Sequence, residues 1–165
     1  MKNILCIIAT TALLCGCAGM NGQISSTKDR FTGKTINQTS RNDLSMGLAD
    51  SSAMTLNMRQ EIDEQGRSQY FLVLSSFSLE GTALIPNPPG DSLFIIADSN
   101  RFSFASSVHQ GDTFLFSANK DQLLSIAYAT NVEVRVVQIS GLPFEKKFNS
   151  NNRNIFKCFA DKFLQ

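Results

Sequence analysis

Val132-Glu133-Val134-Arg135-Val136-Val137 sets valine at alternate positions and a charged residue between each of the first three. Successive side chains of a β-strand point to opposite faces, so this run suits a strand with one buried face and one wet face. Met54, Leu56 and Met58 repeat the pattern against Thr55, Asn57 and Arg59. Tyr70-Phe71-Leu72-Val73-Leu74 is continuously apolar and suits a central strand covered on both sides. Glu64-Gln65-Gly66-Arg67 between the last two supplies a glycine-bearing turn, so a hairpin is the natural join. Leu93-Phe94-Ile95-Ile96 is a second continuous run. After Asp98-Ser99-Asn100, Phe102 and Phe104 alternate with Ser103, and Gln110-Gly111-Asp112 turns into Phe114-Leu115-Phe116. Short apolar strands bounded by Gly, Asn, Asp and Ser favour antiparallel pairing over βαβ units.

Two segments break this period. Asn119 with Gln122 three residues on makes a capping box, and Leu123, Leu124, Ile126 and Ala127 form the stripe of a helix over about 119–130, which Asn131 can close. Ile155, Phe156, Phe159, Ala160 and Phe163 give a second helix, about 151–163, an apolar side, opposite Arg153, Lys157, Asp161 and Lys162. Gly141-Leu142-Pro143 turns into a short strand over Phe144 to Phe148. Pro86-Asn87-Pro88-Pro89-Gly90 has to be an exposed loop or an edge, because proline cannot donate to a ladder. The expected class is α+β: a mainly antiparallel β-sheet or β-sandwich with two helices.

The amino terminus reads differently. Behind Lys2, residues Ile4 to Leu14 are apolar or small apart from Thr10 and Thr11. As a helix this stretch is about 16 Å long, too short for a bilayer core of about 30 Å. Its proportions are those of a secretory signal peptide. It ends in Leu14-Cys15-Gly16-Cys17, which resembles the lipobox of bacterial lipoproteins. The resemblance implies a thioether from diacylglycerol to the Cys17 sulfur, cleavage after Gly16, and N-acylation of the new terminus with a fatty acid such as palmitate. Ala18 in place of Asp is similar to lipoproteins sorted to the outer membrane. The chain then divides into a signal peptide (1–16), a lipidated Cys17 with a polar tether (17–28), and one β-rich domain (29–165).

Charge and cysteine content narrow the functions. Fifteen basic and fourteen acidic residues, or fourteen of each once Lys2 leaves, give no electrostatic footprint for nucleic acid and no polybasic patch for lipid head groups. After processing, Cys158 is the one thiol left, read as a buried inert sulfur among Ile155, Phe156, Phe159 and Phe163. The single histidine, His109, stands beside a turn near Ser106, Ser107 and Asp112, but no Gly-x-Ser-x-Gly elbow marks a nucleophile. With so few soft ligands a zinc site is disfavoured, and Asp91, Asp98 and Asp112 lack calcium-loop spacing. Gly33-Lys34-Thr35 lacks the earlier glycine of a phosphate loop. Glu61, Asp63 and Glu64 read as solvated charge at a hairpin end, and the chain has no tryptophan for a sugar platform.

The expectation is therefore a non-catalytic envelope lipoprotein without cofactor, held to the membrane by its lipid, that binds or helps assemble an envelope protein partner. A periplasmic or cell-wall hydrolase using His109, and a ligand-sequestering or inhibitor module, are the alternatives. Cys17→Ser is expected to leave the precursor unacylated and poorly processed. Mass spectrometry of the envelope fraction reads both, and normal acylation of the variant overturns the assignment.

Overall fold

The computed structural model describes residues 24–44, 52–78, 90–110, 112–138 and 143–165, with backbone alone for 52–53, 77–78 and 108–110. The described elements are, in order, β1 (Ile24–Lys28), β2 (Thr35–Thr39), β3 (Ser52–Ile62), β4 (Ser68–Ser78), β5 (Asp91–Ala97), β6 (Asn100–Gln110), β7 (Thr113–Ala118), α1 (Lys120–Tyr128), β8 (Val132–Val136), β9 (Phe144–Lys147) and α2 (Ser150–Phe163). The strands join in one sheet of nine, ordered β1-β2-β3-β4-β7-β6-β5-β8-β9, and every pairing is antiparallel. Of the expected sheet or sandwich, the continuous sheet is what forms, and the class is α+β.

The hairpin expected around Gly66 forms. β3 and β4 pair over their full length, from Ser52 opposite Ser78 to Ile62 opposite Ser68. Asp63 closes the turn: its carboxylate accepts from the backbone N–H groups of Gln65 and Arg67 and, at 2.7 Å, from the Arg67 guanidinium. Gly66 takes a positive φ of 79°, a left-handed conformation that costs glycine little.

β6 carries the sheet from one half to the other. Its first part, Asn100 to Ala105, pairs with β5, and its second part, from Ser106, pairs with β7. The register shifts between Ser106 and Val108, and β5 has a shift of its own between Asp91 and Leu93. Such bulges bend a strand and increase its twist, which is what a strand serving two sets of neighbours needs.

Both helices cover one face. α1 connects β7 to β8 and packs on β5, α2 packs on β2 and β3, and the helices touch each other. Met54, Leu56, Met58, Leu72, Leu74, Phe114, Phe116, Leu93, Ile95 and the three strand valines of β8 are buried. From the helices come Leu123, Ile126, Ile155, Phe156 and Phe159. Phe148 meets Phe156 edge-on with ring centroids 5.2 Å apart. Val73 is only 5% exposed although it points away from Leu72 and Leu74, so β4 is covered on both faces as its sequence implies.

A seam of amides binds α2 to the sheet. Asn149 caps α2, exchanging hydrogen bonds with Asn152, and Asn152 Nδ2 also donates to Asn42 Oδ1 at 2.8 Å and to the Asp43 carbonyl at 2.9 Å. Asn42 Nδ2 donates onward to the Leu56 carbonyl of β3. On the same sheet edge the Thr39 hydroxyl accepts from Met58 N–H, and Asn37 donates to Gln60.

Three expectations need correction. Ile24–Lys28, assigned to the tether, is a strand whose backbone is ordered by pairing with β2. α1 ends at Tyr128 with Ala129 as its cap, and Asn131 instead donates its N–H to Asp98. Cys158, read as a lone thiol, is disulfide-bonded. The signal segment, Cys17 and the loop Pro86 to Pro89 lie outside the described residues.

Phe159→Ala is expected to destabilise by about 3–5 kcal/mol through the cavity left by a fully buried ring. Asn152→Ala should cost about 1–3 kcal/mol by stranding the acceptors of Asn42 and Asp43. Asn154→Ala, exposed on the same helix, should stay within about 0.5 kcal/mol. Urea unfolding followed by circular dichroism orders the three.

Candidate functional site

The face of β5 and β8 turned away from the helices carries the candidate site. Because β5 is apolar from Leu93 to Ala97, its outward positions Phe94 and Ile96 are apolar too. The register places them in two rows. Arg101, Ile96, Glu133 and Lys147 lie side by side across β6, β5, β8 and β9. Ser103, Phe94, Arg135 and Glu145 form the adjacent row.

All of these residues but Ser103 line an open groove of about 520 Å³. Ile96 is 38% exposed, far more than its neighbour Ile95 at 1%. Arg135 Nε donates to Glu145 Oε1 at 2.6 Å, and Lys147 Nζ lies 4.0 Å from Glu133. Both pairs are more than half exposed and worth little to stability. The arrangement offers an apolar strip with charge of both signs at its margins, which suits recognition of an amphipathic partner.

The other residues singled out in the sequence do not converge. His109 sits in β6 opposite Phe114 in the ladder, and its side chain is outside the described residues. Gly33-Lys34-Thr35 is the end of the β1–β2 turn running into a strand, so no helix terminus is offered to a phosphate. Glu61 pairs with Lys34 and Arg59, while Asp63 holds its own turn. Asp98, at a positive φ of 53°, accepts from Thr130 and Asn131 N–H and so ties the β5–β6 turn to the α1–β8 loop. Asp91 opens β5, and the Asp112 carbonyl accepts from Ser76 N–H. Among the described residues no three His, Cys, Asp or Glu gather to hold a metal ion. Tyr128 of α1 donates to the Asp161 carboxylate of α2, which holds the phenol proton on to higher pH than usual.

Comparison with family models, with curated proteins and with solved structures finds no significant match to this chain. The groove therefore has to be judged on its own chemistry. Its residues were missed in the sequence because Leu93 to Ile96 looks like uniform core. The signal was present in the neighbouring strand: with Glu133 and Arg135 facing water, whatever lies beside them on β5 faces water as well.

The Asp63 carboxyl is held below its usual value near 3.8, chiefly by the Arg67 backbone N–H. A lowered folded-state value means that this turn's contribution is present above about pH 3.8 and is lost as the pH falls below it. Asp63→Asn is accordingly expected to flatten the acid limb of the stability profile below that pH. Denaturant midpoints measured in steps from pH 5 to pH 2 check it, and an unchanged profile would refute the role given to this carboxylate.

Proposed function

We propose that this protein is a lipid-anchored component of the bacterial cell envelope, in the outer membrane, that binds a protein partner through the outer face of β5 and β8. The observation carrying the binding half is the exposed Ile96 beside Phe94, set between charged rows on a face that the helices leave open. Isolated apolar residues on a surface are ordinary; here two adjacent ones lie at the bottom of a groove with ordered polar margins. The lipobox at Leu14 to Cys17 supports the anchoring half.

The groove volume also falls in the range of small-ligand sites, about 300–1,000 Å³, so sequestration of an amphipathic small molecule is the second reading. In-cell crosslinking of the tagged, lipidated protein separates the two. The expected result is one dominant envelope partner whose adduct is lost in Ile96→Asp while the circular dichroism spectrum is retained. An adduct indifferent to Ile96→Asp overturns the groove as the binding face. Recovery of the monomer alone, with thermal stabilisation by an amphiphile that Ile96→Asp abolishes, selects the second reading.

A further inference from the structure

Phe31 is 83% exposed, against 48% for Tyr128 and 38% for Ile96, the other large apolar side chains described as exposed. It stands at the tip of the β1–β2 hairpin, and the turn beneath it is tightly made. Asp29 Oδ1 accepts from Phe31 N–H at 2.8 Å and Oδ2 accepts from the Thr32 hydroxyl at 2.7 Å. Asp29 N–H donates to the Lys34 carbonyl, and Gly33 N–H donates to the Asp29 carbonyl. Gly33 has a φ of 66°, and a Cβ there would meet the Glu64 side chain at 2.2 Å, so the tip is also fitted against the β3–β4 turn. An apolar ring is thus presented to solvent by a turn that spends an aspartate, a threonine and a glycine on its shape.

The surroundings of the ring indicate what it meets. The Arg30 guanidinium lies 4.7 Å from the ring centroid, and Lys28 and Lys34 flank the turn, Lys34 being held by Glu61. Long basic side chains beside an aromatic ring suit the boundary of a bilayer, where the ring enters the headgroup layer and the charged ends reach phosphates.

Chain length points the same way. From Cys17 to Ile24 the chain can reach at most about 23–25 Å. β1 itself, five residues, is about 17 Å long at about 3.3 Å per residue. The hairpin is therefore the described element closest along the chain to the anchor. β1 is also an outer edge of the sheet, exposed along most of its length. One ring binds a bilayer weakly, but an anchor makes the encounter intramolecular and raises its effective concentration.

We propose that the β1–β2 hairpin tip, Lys28 to Lys34, rests on the bilayer with Phe31 seated in the headgroup layer, fixing how the domain stands on its membrane. This rests on the lipid-anchor reading, and the test separates the two. The chain has no tryptophan, so Phe31→Trp is a single reporter at the tip and Ile96→Trp is one at the far end of the sheet. Each full-length, lipidated variant is reconstituted into vesicles of phosphatidylethanolamine and phosphatidylglycerol with or without brominated acyl chains. The Phe31→Trp emission is expected to shift to shorter wavelength and lose intensity with bromine, while Ile96→Trp stays unquenched. A chain that floats with the vesicles but shows no quenching at position 31, or equal quenching at both positions, overturns the hairpin contact and leaves the anchor standing. A chain that neither floats nor carries acyl groups removes the anchor, and the hairpin contact with it.

Discussion

β6 must satisfy two sets of neighbours with one backbone. Buried amide and carbonyl groups have to be paired, and β6 meets β5 along its first part and β7 along its second. The register shift between Ser106 and Val108 falls where the second pairing begins. Through β6 the strands on either side join in one sheet, with β8 beyond β5. The need for a connection from β7 across to β8 follows as well, and α1 fills it. Because that crossover is a helix with an apolar stripe, it also begins the cover of the core. α2 completes the cover over β2 and β3, at the other end of the sheet.

The two faces of the sheet are used differently. The covered face takes nearly all the large apolar side chains, and its few polar groups are amides and hydroxyls engaged with each other along β2, β3 and the start of α2. The open face carries apolar side chains on β4 and β7, at Phe71, Val73 and Leu115, and charge and hydroxyls across β6, β5, β8 and β9, where Phe94 and Ile96 are departures. Departures from a local pattern are where function is to be sought, since a sequence under no other demand would put polar residues there. Phe31 is a departure of the same kind on a turn.

Side-chain periodicity made much of this legible. The strand alternation at Val132 to Val136 and Met54 to Met58, the capping box of Asn119 and Gln122, and the apolar side of α2 all appear where expected. What stayed hidden depends on backbone pairing or on neighbours remote in sequence. Ile24-Ser25-Ser26-Thr27-Lys28 has a tether's composition and becomes a strand only because β2 offers it a ladder. Strand β3 runs past Met58 to Ile62 because β2 and β4 both pair with that end. The bulges leave no residue signature at all. Of the candidate site, its charged members in β8 were visible, but the outward turn of Phe94 and Ile96 required knowing which strand lies next to which.

Asn152 lies 110 residues after Asn42, its partner. That separation sets an order of events in the life of the molecule. A chain made from its amino end completes the β3–β4 hairpin, with its local contacts, long before α2 exists. Until the last residues arrive, the sheet's apolar side has no roof over β2 and β3. Closing so large a loop is slow, and the exposed face is adhesive in the interval. A chain of this design gains from being kept extended until it is whole, and a truncation of even its last two turns would leave the half-built sheet seeking a substitute for Phe159 and Leu164.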